Sequence, residues 1–175
     1  ESNLGVYELM IKAASASMKA VPSANASWME SVVRVYDSVD INVVVGTGDK
    51  LYTPVIRDCG SKGIKSISDE LNAAVEAVES EELTAEFASM GTLTIMNLGM
   101  YGIKEFSAVI NPPQGAILAV GKGEQRAVVI DGALSVANVM TCTLSCDHRV
   151  VDGAVGSKFL TQFKEFIEDP VSMML

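Results

Sequence analysis

The 175-residue sequence has little positive charge, few aromatic residues and one histidine. Its 13 Lys and Arg stand against 22 Asp and Glu, which gives a net charge of −9, and the basic residues form no cluster. Nucleic-acid binding relies on Lys and Arg that neutralise phosphates, so this balance argues against a nucleic-acid partner. Aromatic residues make up 6%, and we expect aliphatic side chains and the nine Met to fill the core.

Long apolar runs, a visible signal peptide and paired cysteines are also missing. No run approaches the roughly 20 residues of a membrane-spanning helix, which predicts no membrane insertion. Three cysteines are an odd number, which favours reduced thiols and an internal compartment. The chain starts at Glu1 rather than Met, so we expect a fragment whose targeting segment could lie upstream. Without a repeat or linker, residues 1–175 are predicted to form one domain.

The single histidine, His148, lies in the most informative stretch of the chain. An apolar run precedes it, and Asp152 and Gly153 follow it four and five residues later. Imidazole is the side chain best suited to accept a proton near neutral pH, and it needs a partner that fixes its tautomer and orientation. Asp152 could be that partner, or it could cap a following helix. Spacing alone leaves two interpretations open. Either His148 is a catalytic base, or the stretch is a strand, a turn and a helix cap with no catalytic role.

Hydrophobic periodicity predicts three helices, over Val6–Ala20, 66–79 and Gly153–Glu168. Ser66 is the expected cap of the second helix. Asp131-Gly132 predicts a tight hairpin between residues 127–130 and 133–136. The other expected strands are 40–45 and 51–56 as a second hairpin, 91–96, 108–110, Ala116–Val120 and 139–146. In the last of these, alternation places Cys142 and Cys146 on the core face, and a metal site would need ligands that are not there.

The run Asp-His-Arg-Val-Val-Asp-Gly-Ala at 147–154 resembles the His-x-x-x-Asp-Gly signature of the 2-oxo acid dehydrogenase acyltransferases. That signature alone also occurs in chloramphenicol acetyltransferases. Further stretches resemble the acyltransferases in order and spacing across the whole chain, at 22–28, 51–55, 97–103, 109–114 and 170–175. The resemblance implies an α/β fold of the chloramphenicol acetyltransferase type, with a mixed sheet flanked by helices.

The similarity is greatest to the acetyl-transferring members, which belong to the pyruvate dehydrogenase complex. It implies that an acetyl group moves from S-acetyldihydrolipoamide to the thiol of coenzyme A, with no metal. The lipoamide would be carried on a lipoyl domain outside this sequence. His148 would be the general base that generates the thiolate, since the thiolate is the nucleophile. Asp152 would position His148, with Arg149 as a structural ion-pair partner.

The oxyanion donor is where the sequence departs from the family. Family members have a serine or threonine before Asn-Leu-Gly, and this chain has Met96, which cannot donate a hydrogen bond. Asn97 is the nearest side-chain donor, and backbone N–H groups of the same loop are the alternative. Because one such donor is worth about 100–1000-fold in rate, either a neighbour replaces it, or the enzyme is slow, or the domain serves assembly.

The resemblance places coenzyme A contacts at Gly46, at Met96 and Asn97, at Met100 and at Gly121. Several of these residues are not the polar ones found in some relatives. Backbone contacts would survive such changes, because glycine permits a close approach. The alternative is that Gly46 and Gly121 are simple turn glycines.

The family also implies assembly into a homotrimer, and of trimers into a hollow polyhedral core. The site would lie between subunits, with His148 from one chain and the Asn97 loop from its neighbour. Expected partners are the pyruvate decarboxylase and dihydrolipoamide dehydrogenase components, in the mitochondrial matrix. The apolar tail 173–175 would enter a pocket on a partner, or else pack on its own domain. The N-terminal strand, lipoyl and subunit-binding domains of relatives are not in this sequence.

Two other functions stay open. The first is a non-catalytic component of the core. Such relatives lose the histidine, whereas this chain keeps His148 and Asp152, and Met96 is the residue that favours this alternative. The second is a branched-chain or succinyl transferase of the same fold, although the 97–103 loop resembles the acetyl-specific members more. The absence of Gly-x-Ser-x-Gly argues against a hydrolase.

Overall fold

A five-stranded mixed sheet forms the centre of the computed structural model, which describes residues 5–48, 50–80, 82 and 87–174. The described helices are α1 Val6–Ala20, α2 Ile64–Glu79 and α3 Gly153–Glu168. The strands are β1 Ala26–Met29, β2 Val32–Val35, β3 Ile41–Val43, β4 Val45–Thr47, β5 Lys50–Tyr52, β6 Val55–Ile56, β7 Leu93–Asn97, β8 Ala116–Val120, β9 Glu124–Ile130, β10 Ala133–Val139 and β11 Cys142–Cys146.

The central sheet has the order β11-β8-β7-β3-β6. β7 runs parallel to both β3 and β8, while β11 and β6 pair antiparallel at the two edges. Every residue of β3 and β8 is buried, as expected for strands covered on both faces. The predicted α/β fold with a mixed sheet is therefore confirmed.

The hydrophobic core lies between the sheet and the three helices. Alternate residues of β3, β7 and β8 point towards it, including Ile41, Leu93 and Leu118. From α3, Phe159 and Phe163 stack with ring centroids 6.2 Å apart. Met173 of the C-terminal 3₁₀ turn Pro170–Met174 also packs against this cluster, so at least this tail residue contacts its own domain. The Met174 side chain and Leu175 lie outside the described residues.

A hydrogen-bond network of buried side-chain amides lies among the sheet residues, outside that core cluster. The Gln114 amide donates to Asn42 Oδ1 at 2.9 Å and to the Gly91 carbonyl at 3.0 Å, and it accepts a hydrogen bond from Thr94 at 2.5 Å. Asn42 also donates to the Thr53 carbonyl at 2.8 Å. These buried polar groups are hydrogen-bonded to one another, and such bonds are stronger in the low-dielectric interior than in water. The network therefore attaches the segment before β8 to the centre of the sheet.

Several predicted elements are confirmed, with the same bounds for α1, α3 and β8. The β9–β10 hairpin turns at Asp131 and Gly132, whose φ angles of +51° and +80° are those of a type I′ turn. In β11, Cys142 and Cys146 pack against the core, as the alternation predicts. All three cysteines are free.

Other expectations were wrong. Helix α2 begins at Ile64 after Gly63, so the predicted cap, Ser66, lies inside the helix and does not cap it. Residues 108–110 form no strand, since no described strand pairs with them, and Val109 is 88% exposed.

The hairpin predicted for 40–45 and 51–56 is divided between two sheets. Val44 still donates to the Ile95 carbonyl at 3.1 Å, and the chain then leaves the main sheet to form the β4–β5 hairpin. β6 returns to pair with β3. The β1–β2 hairpin was missed, because its turn at Glu30-Ser31 carries no glycine, proline or asparagine.

Candidate active site

His148 lies on a tight turn between the edge strand β11 and helix α3. The Asp147 N–H donates to the Gly115 carbonyl at 2.8 Å, which anchors the turn to the start of β8. The Asp147 carbonyl accepts from the N–H groups of Val150 and Val151, both at 2.9 Å. Backbone hydrogen bonds therefore hold the turn on both sides of His148, whose side chain is exposed.

Asp152 acts as the N-cap of α3. Its Oδ1 accepts from the Val155 N–H at 2.8 Å, which satisfies one of the free donors at the helix start. Within the described residues, no hydrogen bond joins Asp152 to His148, and the His148 ring has no hydrogen-bond partner. Of the two roles that spacing left open for Asp152, the cap is the one the geometry supports.

Arg149, predicted to be a structural ion-pair residue beside the site, pairs with Asp147 and not with Asp152. The guanidinium makes a fork with the carboxylate, at 3.0 Å from Nε to Oδ1 and 2.6 Å from Nη2 to Oδ2. These hydrogen bonds lower the pKa of the Asp147 carboxyl and raise that of Arg149. Asp152 is not available to Arg149 because its carboxylate faces the first turn of α3.

The Arg149 guanidinium also lies 5.2 Å from the centre of the Trp28 ring, within cation–π range. An open pocket of about 480 Å³ borders this pair. Its lining combines three stretches that carry the family resemblance and lie far apart in the sequence: Trp28, Glu30, Ile110, Pro112, Pro113, Gln114, Asp147 and Arg149.

The nearby cysteines do not offer a nucleophile. Burial raises the pKa of the Cys142 thiol to about 11, and it raises that of Cys146 as well. Both thiols therefore stay protonated at neutral pH, and only the thiolate attacks. Within the described residues there is no group of three His, Cys, Asp or Glu that could hold a metal ion.

The second group of predicted residues surrounds the loop after β7. Asn97 Oδ1 accepts from the Gly99 N–H at 2.8 Å, and the Leu98 N–H donates to the Val120 carbonyl at 3.1 Å. The Asn97 side-chain NH₂ donates to no other described residue. Beside it, Met96 is half-buried opposite Ala119 on β8, and its thioether supplies no donor.

Met100, Gly46 and Gly121 lie around the same loop. Met100 is 82% exposed. A Cβ on Gly46 would lie 3.3 Å from the hydroxyl of Tyr101, so the β4–β5 hairpin touches the loop there. A Cβ on Gly99 would lie 3.2 Å from the carbonyl oxygen of Gly121, so these two glycines also pack against each other. All the residues expected to contact coenzyme A are thus neighbours, and Tyr101, which was not among the predicted contact residues, lies with them.

Gly121 is glycine for a packing reason. A Cβ at this position would overlap the backbone carbonyl of Lys104, and backbone cannot swing aside as a side chain does. The Lys122 N–H donates to the Ile103 carbonyl at 2.7 Å and holds the two segments together. Gly121 therefore brings the 103–105 segment against the end of β8.

Gly121→Ala is expected to lower the free energy of unfolding by about 1–3 kcal/mol, because the methyl group has no room. Urea denaturation measures this loss. Gly123→Ala is the matched control, since a Cβ there meets nothing within 4 Å. Equal stability of the two variants would contradict the packing role of Gly121.

The two groups of residues lie at opposite ends of the sheet. The His148 turn is anchored at Gly115, just before β8, and the Asn97 loop is anchored at Val120, just before Gly121. The intervening extended chain separates these anchors by roughly 17 Å at the usual rise per strand residue. One chain therefore cannot bring His148 and Asn97 to the same reacting atoms.

None of the helices in the described part of the chain is both long and apolar enough to cross a membrane. Comparison with known structures supports the fold. The chain superposes on a chloramphenicol acetyltransferase with a TM-score of 0.61 over 93% of this chain and 78% of that one, at 14% identity, which is evidence of fold alone.

Curated relatives are similar over almost the whole chain. A dihydrolipoyllysine-residue acetyltransferase component of the pyruvate dehydrogenase complex from Rickettsia conorii is 45% identical over 174 residues, covering 99% of this chain and 42% of that protein. A mitochondrial counterpart from Dictyostelium discoideum is 43% identical over 175 residues, covering 98% of this chain and 28% of that protein. The chain thus spans less than half the length of these relatives.

Solved structures are similar at the level of the whole fold. Dihydrolipoamide acetyltransferase of Azotobacter vinelandii has a TM-score of 0.93 at 30% identity, over 98% of this chain and 72% of that one. A cubic core of the pyruvate dehydrogenase multienzyme complex has the same score, identity and coverage. Residues 1–175 match the family described as 2-oxoacid dehydrogenases acyltransferase, catalytic domain. The chain therefore belongs to the 2-oxoacid dehydrogenase acyltransferase family.

Proposed function

We propose that this domain transfers an acetyl group from S-acetyldihydrolipoamide to the thiol of coenzyme A. The observation that carries the proposal is the exposed His148 on a turn held by backbone bonds, within the His-x-x-x-Asp-Gly motif. The Azotobacter structure comes from a study of a serine, a histidine and an asparagine in that enzyme's catalytic mechanism. His148 has the same spacing to Met96 and to Asp152 as that histidine has to the serine and asparagine.

The proposed reaction is a thioester exchange. His148 accepts the proton of the coenzyme A thiol, and the resulting thiolate attacks the acetyl carbonyl carbon. The tetrahedral intermediate then collapses, the bond to the dihydrolipoyl sulfur breaks, and that sulfur takes the proton back from the imidazolium. No electron leaves or enters, so the chemistry needs only a base, an oxyanion donor and correct alignment.

Asn97 is the residue that we assign to the oxyanion. Its side-chain oxygen is occupied by the Gly99 N–H, which fixes the amide plane and leaves the NH₂ group as a donor. Met96, next to it, contributes contact surface only. Asp152 acts through the backbone, because its cap on α3 holds the C-terminal end of the His148 turn.

The proposed enzyme works as a homotrimer, with His148 of one subunit facing the Asn97 loop of the next. The separation of roughly 17 Å between the backbone anchors of the two groups within one chain supports this arrangement. Trimers would then build the polyhedral core on which the pyruvate decarboxylase and dihydrolipoamide dehydrogenase components assemble. The cubic core among the similar structures supports the assembly. Lipoamide would arrive on a lipoyl domain outside this sequence.

The proposed compartment is the mitochondrial matrix. The Dictyostelium relative, which is mitochondrial, supports it, whereas the Rickettsia relatives are bacterial and make the interior of a bacterial cell the alternative. Fractionation of the source cells, followed by detection of the protein with an antibody, distinguishes the two.

Mixed assemblies test the shared site. His148→Ala chains and Asn97→Ala chains should each be nearly inactive alone. Refolded together in equal amounts, they should recover about a quarter of wild-type activity, because a quarter of the interfaces then pair an intact His148 with an intact Asn97. Acetyl transfer is followed by the acetyl-coenzyme A formed, which is separated from coenzyme A by chromatography. Mixtures that stay as inactive as the separate variants would contradict a site shared between subunits.

A non-catalytic role in the core is the second candidate, and Met96 is the observation that favours it. A methionine at the hydroxyl position leaves the oxyanion with fewer donors than the family pattern provides. Retention of His148 on an exposed turn argues for the enzyme, since a purely structural subunit has no use for a histidine that forms no hydrogen bond with any described residue.

A further inference from the structure

The side chains on either side of His148 are joined to each other. Asp147 precedes it, Arg149 follows it, and their charged groups form a two-bond fork. The Arg149 N–H also donates to Asp147 Oδ1 at 3.1 Å. These bonds close a ring of covalent and hydrogen bonds around the His148 backbone.

The ion pair is in turn attached to the protein core through Trp28. Arg149 lies over the Trp28 ring, and the backbone N–H of Trp28 donates to the Pro113 carbonyl at 3.3 Å. The next residue, Gln114, is the centre of the buried amide network. A continuous set of contacts therefore runs from the sheet interior through Trp28 and Arg149 to the turn that carries His148.

We propose that Arg149 and Trp28 are positioning residues for His148, and that their stacked contact sets the direction in which the imidazole leaves the turn. This inference rests on the proposed function for its catalytic consequence. Among the described residues, none forms a hydrogen bond with either nitrogen of the ring, and Asp152 is engaged by α3. Arg149 is 62% exposed, so its loss leaves the core intact.

The test compares Arg149→Met and Trp28→Leu with the conservative Trp28→Phe. Because a misplaced catalytic group costs up to about 100-fold, we expect Arg149→Met and Trp28→Leu to lower kcat by roughly 10–100-fold with little change in KM. Trp28→Phe keeps an aromatic face under the guanidinium and should retain most of the rate. Arg126→Met is the matched control, since Arg126 also pairs with an acid two residues before it, Glu124, on the distant β9–β10 hairpin.

The single histidine gives a second readout that does not need activity. With the imidazole carbon-13 labelled, every ring signal in the NMR spectrum belongs to His148. The ring should become more mobile in Arg149→Met and Trp28→Leu, and it should be unchanged in Trp28→Phe and Arg126→Met. Wild-type ring mobility in Arg149→Met would overturn the inference, as would wild-type kcat. If the wild type itself transfers no acetyl group, the proposed function fails, and ring mobility alone decides the positioning role.

Discussion

His148→Ala is expected to lower kcat for acetyl transfer by about 100- to 10,000-fold, the range typical of a lost general base. The same change should leave the free energy of unfolding unaltered, because the side chain is exposed and has no hydrogen-bond partner among the described residues. Steady-state kinetics with acetyl-dihydrolipoamide and coenzyme A, together with urea denaturation of the assembled protein, measure both quantities.

Two further observations make the assignment of His148 specific. Free imidazole in the buffer should restore part of the rate to His148→Ala, since the exposed turn leaves room for a small base to take its place. Lys158→Ala, an exposed change on α3, should leave the rate unchanged. Full activity in His148→Ala would show that another group deprotonates the thiol.

Met96→Ser is expected to raise kcat by about 100–1000-fold, which is the usual worth of one oxyanion donor. The half-buried Met96 lies on β7, and a hydroxyl in place of its thioether would supply a hydrogen-bond donor that the wild-type side chain lacks. KM should change little, because the new hydrogen bond forms with charge that develops only in the transition state. The assay is the one used for His148→Ala.

Met96→Ala distinguishes the effect of the added hydroxyl on the rate from the effect of the space that a smaller side chain leaves. If the gain comes from hydrogen bonding, Met96→Ala should stay near the wild-type rate. Equal rates for wild type and Met96→Ser would mean that Asn97 or backbone N–H groups already stabilise the oxyanion fully. A wild type with no measurable activity, and a Met96→Ser variant with some, would make this chain chiefly a structural subunit of the core.

Local signals in the sequence were enough wherever an element is specified by its own residues. Helix α3 has its capping Asp152, its inward-facing Phe159 and Phe163 and the terminating Pro170 within one stretch of chain. The β9–β10 hairpin is specified by Asp131-Gly132 alone. In contrast, the β1–β2 hairpin turns at Glu30, which has a φ of +57°. No sequence pattern predicts a turn there.

The layout of the site could not be predicted from local pattern, because it depends on which strands pair. Alternation in β11 shows which face is buried, but it does not show that β11 runs antiparallel to β8. That pairing places His148 beside Gly115 and far from Asn97. The partner of Arg149 was likewise undetermined, since Asp147 and Asp152 lie two residues before it and three residues after it.

The separation of His148 from Asn97 has a consequence for how activity grows during assembly. In the proposed trimer, each chain offers two different half-sites, one at each end of its sheet. An open pair of chains joined head to tail would complete one site and leave two halves unused, whereas a closed ring completes every half-site. Specific activity per chain should therefore rise when rings close rather than in proportion to the number of chains joined. Dilution that opens the rings should lower the activity before any subunit unfolds.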